Sequence, residues 1–157
     1  MREVSHHDRI LPWPAAIARL QDGPEAPRLS GTVTFFPADT GTIVVADVAG
    51  LPMGSEPCAG GVFGFHIHEG TACTGEEFAD TGGHFNPGGC PHPYHAGDLP
   101  PLFSSHGQAY MAVLSGRFRI PEVLGRTVVI HSGPDDFTTQ PADNSGKKIT
   151  CGVIRKV

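Results

Sequence analysis

Glycine and proline interrupt this chain so often that long helices are excluded over most of its length. Its 157 residues include 21 glycines and 15 prolines, the residue types that most strongly mark turns and end helices. Short alternating or β-branched runs lie between them and predict strands at 15–20, 29–36, 42–48, 62–68, 108–114, 126–131 and 149–154. We therefore expect an all-β sandwich or flattened barrel, a single domain over residues 13–157, with residues 1–12 as a mobile polar tail.

Two long segments show almost no hydrophobic period. Residues 69–107 and 132–148 are rich in Gly, Pro, Asp and, in the first segment, His. Irregular segments of this length in a compact domain are usually functional. We expect the strands to form a scaffold on which these two loops build a site.

Charge and hydropathy exclude two classes of partner. The net charge is −5, and the eleven Lys and Arg residues are scattered, whereas phosphate binding needs a concentrated basic surface. No run of eighteen apolar residues is present to cross a membrane. The first residues also lack the basic, apolar and small-residue regions of an export signal, so we expect a cytoplasmic protein.

Histidine is concentrated in a way that isolated core or surface histidines do not explain. Six of the nine histidines fall in four compact clusters: these are His66, His68, His84, His92, His95 and His131. His66 and His68 project from the same face of a predicted strand, so one strand can hold two imidazoles against one metal ion. Asp98 follows His95 by three residues and adds a carboxylate. The set predicts metal ligands.

The ligand types favour two different metals. A site made only of imidazoles suits copper, and a site of imidazoles with one carboxylate suits zinc. Two four-coordinate sites need eight ligand positions, but six histidines and Asp98 supply seven residues, so one histidine must serve both ions through its two ring nitrogens. We exclude His106 as a turn residue, and the adjacent His6 and His7 as part of the tail.

Five motifs occur in an order that resembles the copper-zinc superoxide dismutase family. They are GFHIHEG, GGHFNP, HAGDLP, VVIHSGPDD and CGVI, and the resemblance spans roughly residues 15–154. The step from His68 to Cys73 and the sequence Gly97-Asp98-Leu99-Pro100 look most like the bacterial branch. The resemblance implies a flattened, eight-stranded antiparallel Greek-key barrel that disproportionates superoxide into oxygen and hydrogen peroxide.

Site roles follow from the resemblance by position. The implied cofactors are Cu(2+)/Cu(+), held by His66, His68, His84 and His131, and Zn(2+), held by His84, His92, His95 and Asp98. In the implied reaction, His84 takes up a proton when copper is reduced and returns it to the nascent peroxide. Asp135 is expected to link a copper ligand to a zinc ligand.

One position departs from the family pattern. Lys148 stands where the family places an arginine, three residues before the final cysteine. Lysine keeps the positive charge but lacks the planar fork of five donors. We therefore expect retained steering of superoxide with poorer positioning and a rate lower by about tenfold, less than the roughly hundredfold cost of losing a donor. Lys147 is expected to add charge at the same rim.

The four cysteines divide into two pairs. The resemblance implies a disulfide between Cys73 and Cys151. Cys58 and Cys90 lie outside the common family pattern, and either a second bond or two free thiols fits the sequence. We favour the bond because it would anchor the zinc loop.

Two further expectations remain open. A non-catalytic copper- and zinc-binding protein of the same fold is the alternative function, and Lys148 is the substitution that favours it. The expected partner is superoxide, and a homodimer is the default assembly.

Overall fold

The computed structural model describes residues 13–55 and 58–157, so the expectation for the tail, 1–12, lies outside the described residues. The described strands are β1 (Ala16–Leu20), β2 (Ser30–Ala38), β3 (Gly41–Ala49), β4 (Val62–Phe63), β5 (Phe65–His68), β6 (Leu102–Phe103), β7 (Ala109–Ser115), β8 (Thr127–His131) and β9 (Lys148–Lys156). A 3-10 segment covers Glu76–Thr81, and one helical turn, α1, covers Ile120–Val123. The all-β class is confirmed.

Seven of the described strands form one antiparallel sheet in the order β5-β8-β9-β1-β2-β3-β7. The longest pairing joins β2 to β3, from Ser30 opposite Ala49 to Ala38 opposite Gly41. Side chains alternate along these strands, so Val33, Phe35 and Val44 are fully buried in the core while Asp47 is exposed. The hydrophobic pattern therefore places the strands much as the sequence predicts.

The segment predicted as one strand at 62–68 is two strands. Gly64 separates β4, which pairs with β6 in a small second sheet, from β5, which pairs with β8. A Cβ atom at Gly64 would lie 2.5 Å from the Ser145 side chain, so the backbone here passes too close to the 132–147 loop for any larger residue. β6 and α1 were not expected from the sequence, because neither is long enough to show a hydrophobic period.

One of the two expected disulfides is present. Cys73 and Cys151 are bonded across a sequence separation of 78 residues, which ties the long loop to β9. The favoured bond between Cys58 and Cys90 is wrong: among the described residues both are free and exposed. Cys90 is instead held in its own turn, where its backbone exchanges two hydrogen bonds with the side chain of Asn86.

The outer edge of β5 carries the loop that follows it. Ile67 donates its backbone N–H to Gly97 O and accepts from Phe85 N, both at 2.8 Å. A Cβ at Gly97 would lie 2.2 Å from Ile67 O, so glycine is required for this close approach. Residues 83–98 are thus fixed against a strand edge that would otherwise be open.

Within the described ranges, no helix has both the length and the apolar character needed to cross a membrane.

Candidate metal centre

Three of the predicted ligands stand on neighbouring strands. Phe65 and Ile67 turn into the core, so His66 and His68 share the opposite face of β5, beneath the loops. His131 ends β8, next to β5, and the β8–β9 register shifts between Ile130 and His131. Such irregularities redirect a side chain at the end of a strand. The sheet therefore brings these three imidazoles together.

The other ligands stand on the loop fixed to β5. Isolated β-bridges place His84 opposite His68 and Asp98 opposite His66. Asp98 Oδ2 accepts the backbone N–H of His95 at 3.0 Å, which closes a tight turn between these two residues. A second turn, closed by the hydrogen bond from the Tyr94 backbone N–H to Pro91 O at 2.8 Å, precedes it and contains His92.

The predicted ligands form two groups that share one histidine. The four-histidine group comprises His66, His68, His84 and His131, and the three-histidine group comprises His84, His92, His95 and Asp98. Within each group the ligand atoms all lie within 4.8 Å of one another. No residue of either group is more than 9% exposed.

Hydrogen bonds determine which ring nitrogens of the four-histidine group keep a free lone pair. His68 Nδ1 donates to Gly82 O at 2.8 Å, and His131 Nδ1 donates to Gly146 O at 3.2 Å. A carbonyl can only accept, so in neutral rings the Nε2 atoms carry lone pairs. Those two Nε2 atoms face each other at 3.2 Å. Two facing lone pairs repel unless a cation lies between them, which is the arrangement of a metal site.

His66 offers a third free nitrogen to this group. Its Nε2 bonds Asp135 Oδ2 at 2.9 Å, while its Nδ1 is buried with no hydrogen-bond partner among the described residues. Buried nitrogens are normally satisfied, so this unpaired nitrogen is available to bind a metal ion.

Burial keeps these rings neutral and ready to bind. Loss of solvent lowers the pKa of His66 and His68, that of His68 well below its usual range. Burial, with the neighbouring charge of His66, lowers the pKa of His131 to about 4. Neutral imidazole is the form that binds metals, so no proton competes at neutral pH.

In the three-histidine group, carboxylates bind the rings and shift the pKa of His92. Asp98 contacts His84 Nδ1 through Oδ1 at 2.8 Å and His92 Nδ1 through Oδ2 at 3.1 Å. Burial lowers the pKa of His92, but hydrogen bonding to Asp135 and the charge of Asp98 outweigh it, so the pKa of His92 is raised. Burial opposes ionisation of Asp98, yet its bonds to histidine lower its pKa. The group attracts positive charge.

Asp135 lies between the two groups. Its Oδ2 binds His66 Nε2 and its Oδ1 binds His92 Nε2, at 2.9 and 2.8 Å. Burial opposes its charge, but the hydrogen bonds from the two histidines hold the pKa of this carboxyl well below its usual range. Asp135 therefore fixes the tautomer and orientation of one ring in each group.

Two side chains that the sequence analysis missed hold the loop around His92. Gln140 accepts the backbone N–H of His92 at 3.0 Å and donates to its carbonyl at 2.7 Å. Arg117 donates to Pro93 O and His95 O at 2.6 and 3.1 Å. Both contacts are with backbone atoms, so no residue spacing in the sequence marks them.

Lys148 lies beside the four-histidine group. It is paired with His131 in the β8–β9 register, and its Nζ donates to Thr81 Oγ1 at 2.8 Å and Gly82 O at 3.0 Å. Burial lowers its pKa. Lys147 differs: its ammonium pairs with Glu77 at 3.0 Å and Glu25 at 3.2 Å, so the charge expected from Lys147 at the rim is offset.

The donor sets fit two metals. Four buried imidazoles, three with a nitrogen left free by their hydrogen bonds, suit copper. Three imidazoles with one carboxylate suit zinc. His84 belongs to both groups because its two ring nitrogens point in different directions. His106, excluded from the site, is exposed, and the tail pair His6 and His7 lies outside the described residues.

A family model described as copper/zinc superoxide dismutase matches residues 29–154. Superoxide dismutase [Cu-Zn] 2 of Aquifex aeolicus is 34% identical over 140 residues, which cover 80% of this chain and 78% of the relative. Superoxide dismutase [Cu-Zn] of Deinococcus radiodurans is 35% identical over 151 residues, covering 83% and 79%. The crystal structure of a SOD-like protein from Bacillus subtilis superposes with a TM-score of 0.73 at 27% identity, covering 87% of this chain and 96% of that one.

Proposed function

This chain belongs to the copper/zinc superoxide dismutase family, and we propose that the two histidine groups described above support the disproportionation of superoxide into oxygen and hydrogen peroxide. The observation that carries the proposal is the pair of free Nε2 atoms of His68 and His131, 3.2 Å apart in a buried group that also contains His66 and His84. An all-imidazole group of this kind suits a metal with two accessible oxidation states.

The ligand sets divide between the two metals of the family. His66, His68, His84 and His131 hold copper, and His84, His92, His95 and Asp98 hold zinc. Bound copper supplies one-electron chemistry, and bound zinc supplies a fixed positive charge. The support is the chemistry of each donor set and the burial of every member.

His84 is the residue through which the two sets act on each other. Its Nδ1 faces Asp98 Oδ1 at 2.8 Å, so this nitrogen belongs to the zinc side. Its Nε2 is left for the copper side and is the atom that holds a proton between the two half-reactions. Asp98 and the turn at His95 restrain the ring, so the proton is held at a fixed position.

Lys148 provides the positive end of the approach to the copper group. Its Nζ shares the acceptor Gly82 O with His68 Nδ1, which supports a place close to the ring of a copper ligand. An anion is attracted by this charge. Because the ammonium is already committed to Thr81 and Gly82, it directs superoxide by charge more than by a fixed pair of donors.

The alternative is a copper- and zinc-binding protein without catalysis. The commitment of Lys148 to two protein acceptors favours it, since fewer of its N–H groups remain for substrate. A homodimer also stays a proposal, supported by the exposed aromatic rings of Phe103 and Tyr110. The cytoplasmic location stays a prediction from the sequence, and cell fractionation tests it.

The shared histidine gives the test of the site assignments. Copper-loaded protein is to be compared by electron paramagnetic resonance with and without zinc, for the natural chain and for Asp98→Asn. If His84 joins the two sets, zinc removal changes the copper spectrum of the natural chain, and Asp98→Asn weakens zinc binding while copper is retained. A copper spectrum that ignores zinc would contradict the assignment.

A further inference from the structure

A buried carboxylate faces the four-histidine group from the 132–147 loop. The side chain of Asp143 is 4% exposed, its Oδ2 lies 3.4 Å from His66 Nε2, and its Oδ1 lies 3.7 Å from His84 Nε2. His66, Asp135 and Asp143 also form a third cluster of potential ligand atoms within 4.8 Å of one another. We propose that Asp143 is a tuning residue that favours divalent over monovalent copper in the four-histidine group, an inference that rests on the proposed function.

The carboxylate is held in this orientation by its own loop. Ser145 donates its hydroxyl to Asp143 Oδ2, and Ser145 is itself 1% exposed. Gly64, before β5, packs against both side chains, because a Cβ there would lie 2.5 Å from Ser145 Oγ and 3.1 Å from Asp143 Oδ2. Asp143 therefore cannot turn freely into solvent.

The position of Asp143 differs from that of Asp135. Asp135 divides its two oxygens between one ring of each group, so its charge is shared by both metals. Asp143 approaches two members of the four-histidine group, His66 and His84. Its charge therefore acts mainly on the copper side.

A fixed negative charge beside a metal stabilises the higher oxidation state more than the lower one. The low dielectric of a buried site strengthens that interaction. Outer partners of a metal site typically change affinity by about 10- to 100-fold. Because Asp143 is 3.4 and 3.7 Å from the ring nitrogens of His66 and His84 and shares His66 with Asp135, we take the lower end, about tenfold in the ratio of Cu(2+) to Cu(+) affinity.

The charge of Asp143 is opposite in sign to that of Lys148, so near the four-histidine group it lowers the attraction for an anionic substrate.

The test measures copper itself and not the rate of the loaded enzyme. Asp143→Asn removes the charge while keeping the size, and Asp47→Asn, on the exposed face of β3, removes one charge away from the metal groups. Cu(2+) and Cu(+) affinities are measured by competition with chelators, and the reduction potential by redox titration, on zinc-loaded protein of checked copper content.

We expect Asp143→Asn to lower the ratio of Cu(2+) to Cu(+) affinity about tenfold and raise the potential accordingly, with Asp47→Asn unchanged. Ser145→Ala keeps the charge but frees the carboxylate, and gives a smaller shift in the same direction even if Asp143→Asn does not fold. Copper-loaded Asp143→Asn and Ser145→Ala with the natural potential would overturn this inference alone. A natural chain that binds no copper at histidine nitrogens would overturn the proposed function as well.

Discussion

The two ligand groups share His84 but are built in different ways. In the four-histidine group, His66, His68 and His131 stand on adjacent strands of the sheet. In the three-histidine group, His92, His95 and Asp98 stand on a loop. The first group is placed by strand register, and the loop of the second is held by hydrogen bonds that it makes with Gln140, Arg117 and Asp135.

The two groups also differ in how their surroundings shift the pKa of their histidines. Burial lowers the pKa of His66, His68 and His131, so the strand-borne rings are neutral donors. In the three-histidine group, the bond to Asp135 and the charge of Asp98 raise the pKa of His92. Neutral imidazoles alone suit copper, and imidazoles with a carboxylate suit zinc.

The largest expected effect comes from replacing a histidine that belongs to the four-histidine group alone. His131→Gln should lower the rate of superoxide decay by more than about a hundredfold, beyond the cost of losing an outer partner, while zinc stays bound. Pulse radiolysis and metal analysis of the same sample provide the check. Natural activity in this variant would show that His131 is no copper ligand.

Asp135 connects the groups, so its loss should affect both. Asp135→Asn is expected to weaken copper and zinc binding by about 10- to 100-fold each, as measured by chelator competition. Asp136→Asn is the control, because Asp136 is exposed and, among the described residues, its carboxylate bonds Thr138 and Thr139 of its own turn. A loss confined to one metal would mean that Asp135 serves one group only.

Variants of Lys148 test whether its charge steers superoxide toward the four-histidine group. Lys148→Met should slow superoxide decay about tenfold at low salt, and natural protein should slow as ionic strength rises. Because burial lowers the pKa of Lys148, its charge is lost at a lower pH than that of an ordinary lysine, so Lys148→Arg should extend activity to more alkaline pH. A rate insensitive to salt in the natural chain would contradict steering.

A variant of Gln140 tests whether zinc binding by the three-histidine group depends on the hydrogen bonds that hold its loop. Gln140→Ala removes both hydrogen bonds to the backbone of His92, each worth about 1 kcal/mol, and should speed zinc release several-fold with copper release unchanged. Stopped-flow chelation measures both rates. Equal acceleration of zinc release and copper release would show that the two ligand groups are not independent.

The smallest effect concerns pH in the metal-free protein. His131 has a folded pKa of about 4 against an ordinary value of 6.5, so its contribution to stability is complete above about 6.5 and is lost as pH falls toward 4. His92, with a raised pKa, opposes this trend. Urea titrations of His131→Gln should show a flatter acid slope than natural protein, whereas His106→Gln, at an exposed turn, should keep the natural slope.

The sequence predicted what periodicity and clustered ligands encode. The main strands followed from alternation, and His66 and His68 were placed on one face by their spacing. Gly64 could not be read as a break between strands, since the reason lies in Ser145, eighty-one residues later. Asp143, Gln140 and Arg117 were missed because their roles depend on loop paths and on contacts with backbone atoms, which no residue pattern specifies.

The cysteines show the same limit. The bond between Cys73 and Cys151 was implied by family position and is present. A second bond was expected because it would anchor the zinc loop, but Cys90 is held by Asn86 in a local turn, and that turn determines where its thiol lies.

The imidazoles of the four-histidine group are expected to support copper redox chemistry. We would measure superoxide decay per bound copper by pulse radiolysis, on protein loaded with both metals and analysed for metal content in the same sample. A rate approaching the diffusional range, about 10⁸–10⁹ M⁻¹s⁻¹, that falls with ionic strength is the predicted result. Full copper occupancy with decay no faster than in buffer would contradict a catalytic role for this group and support the non-catalytic alternative.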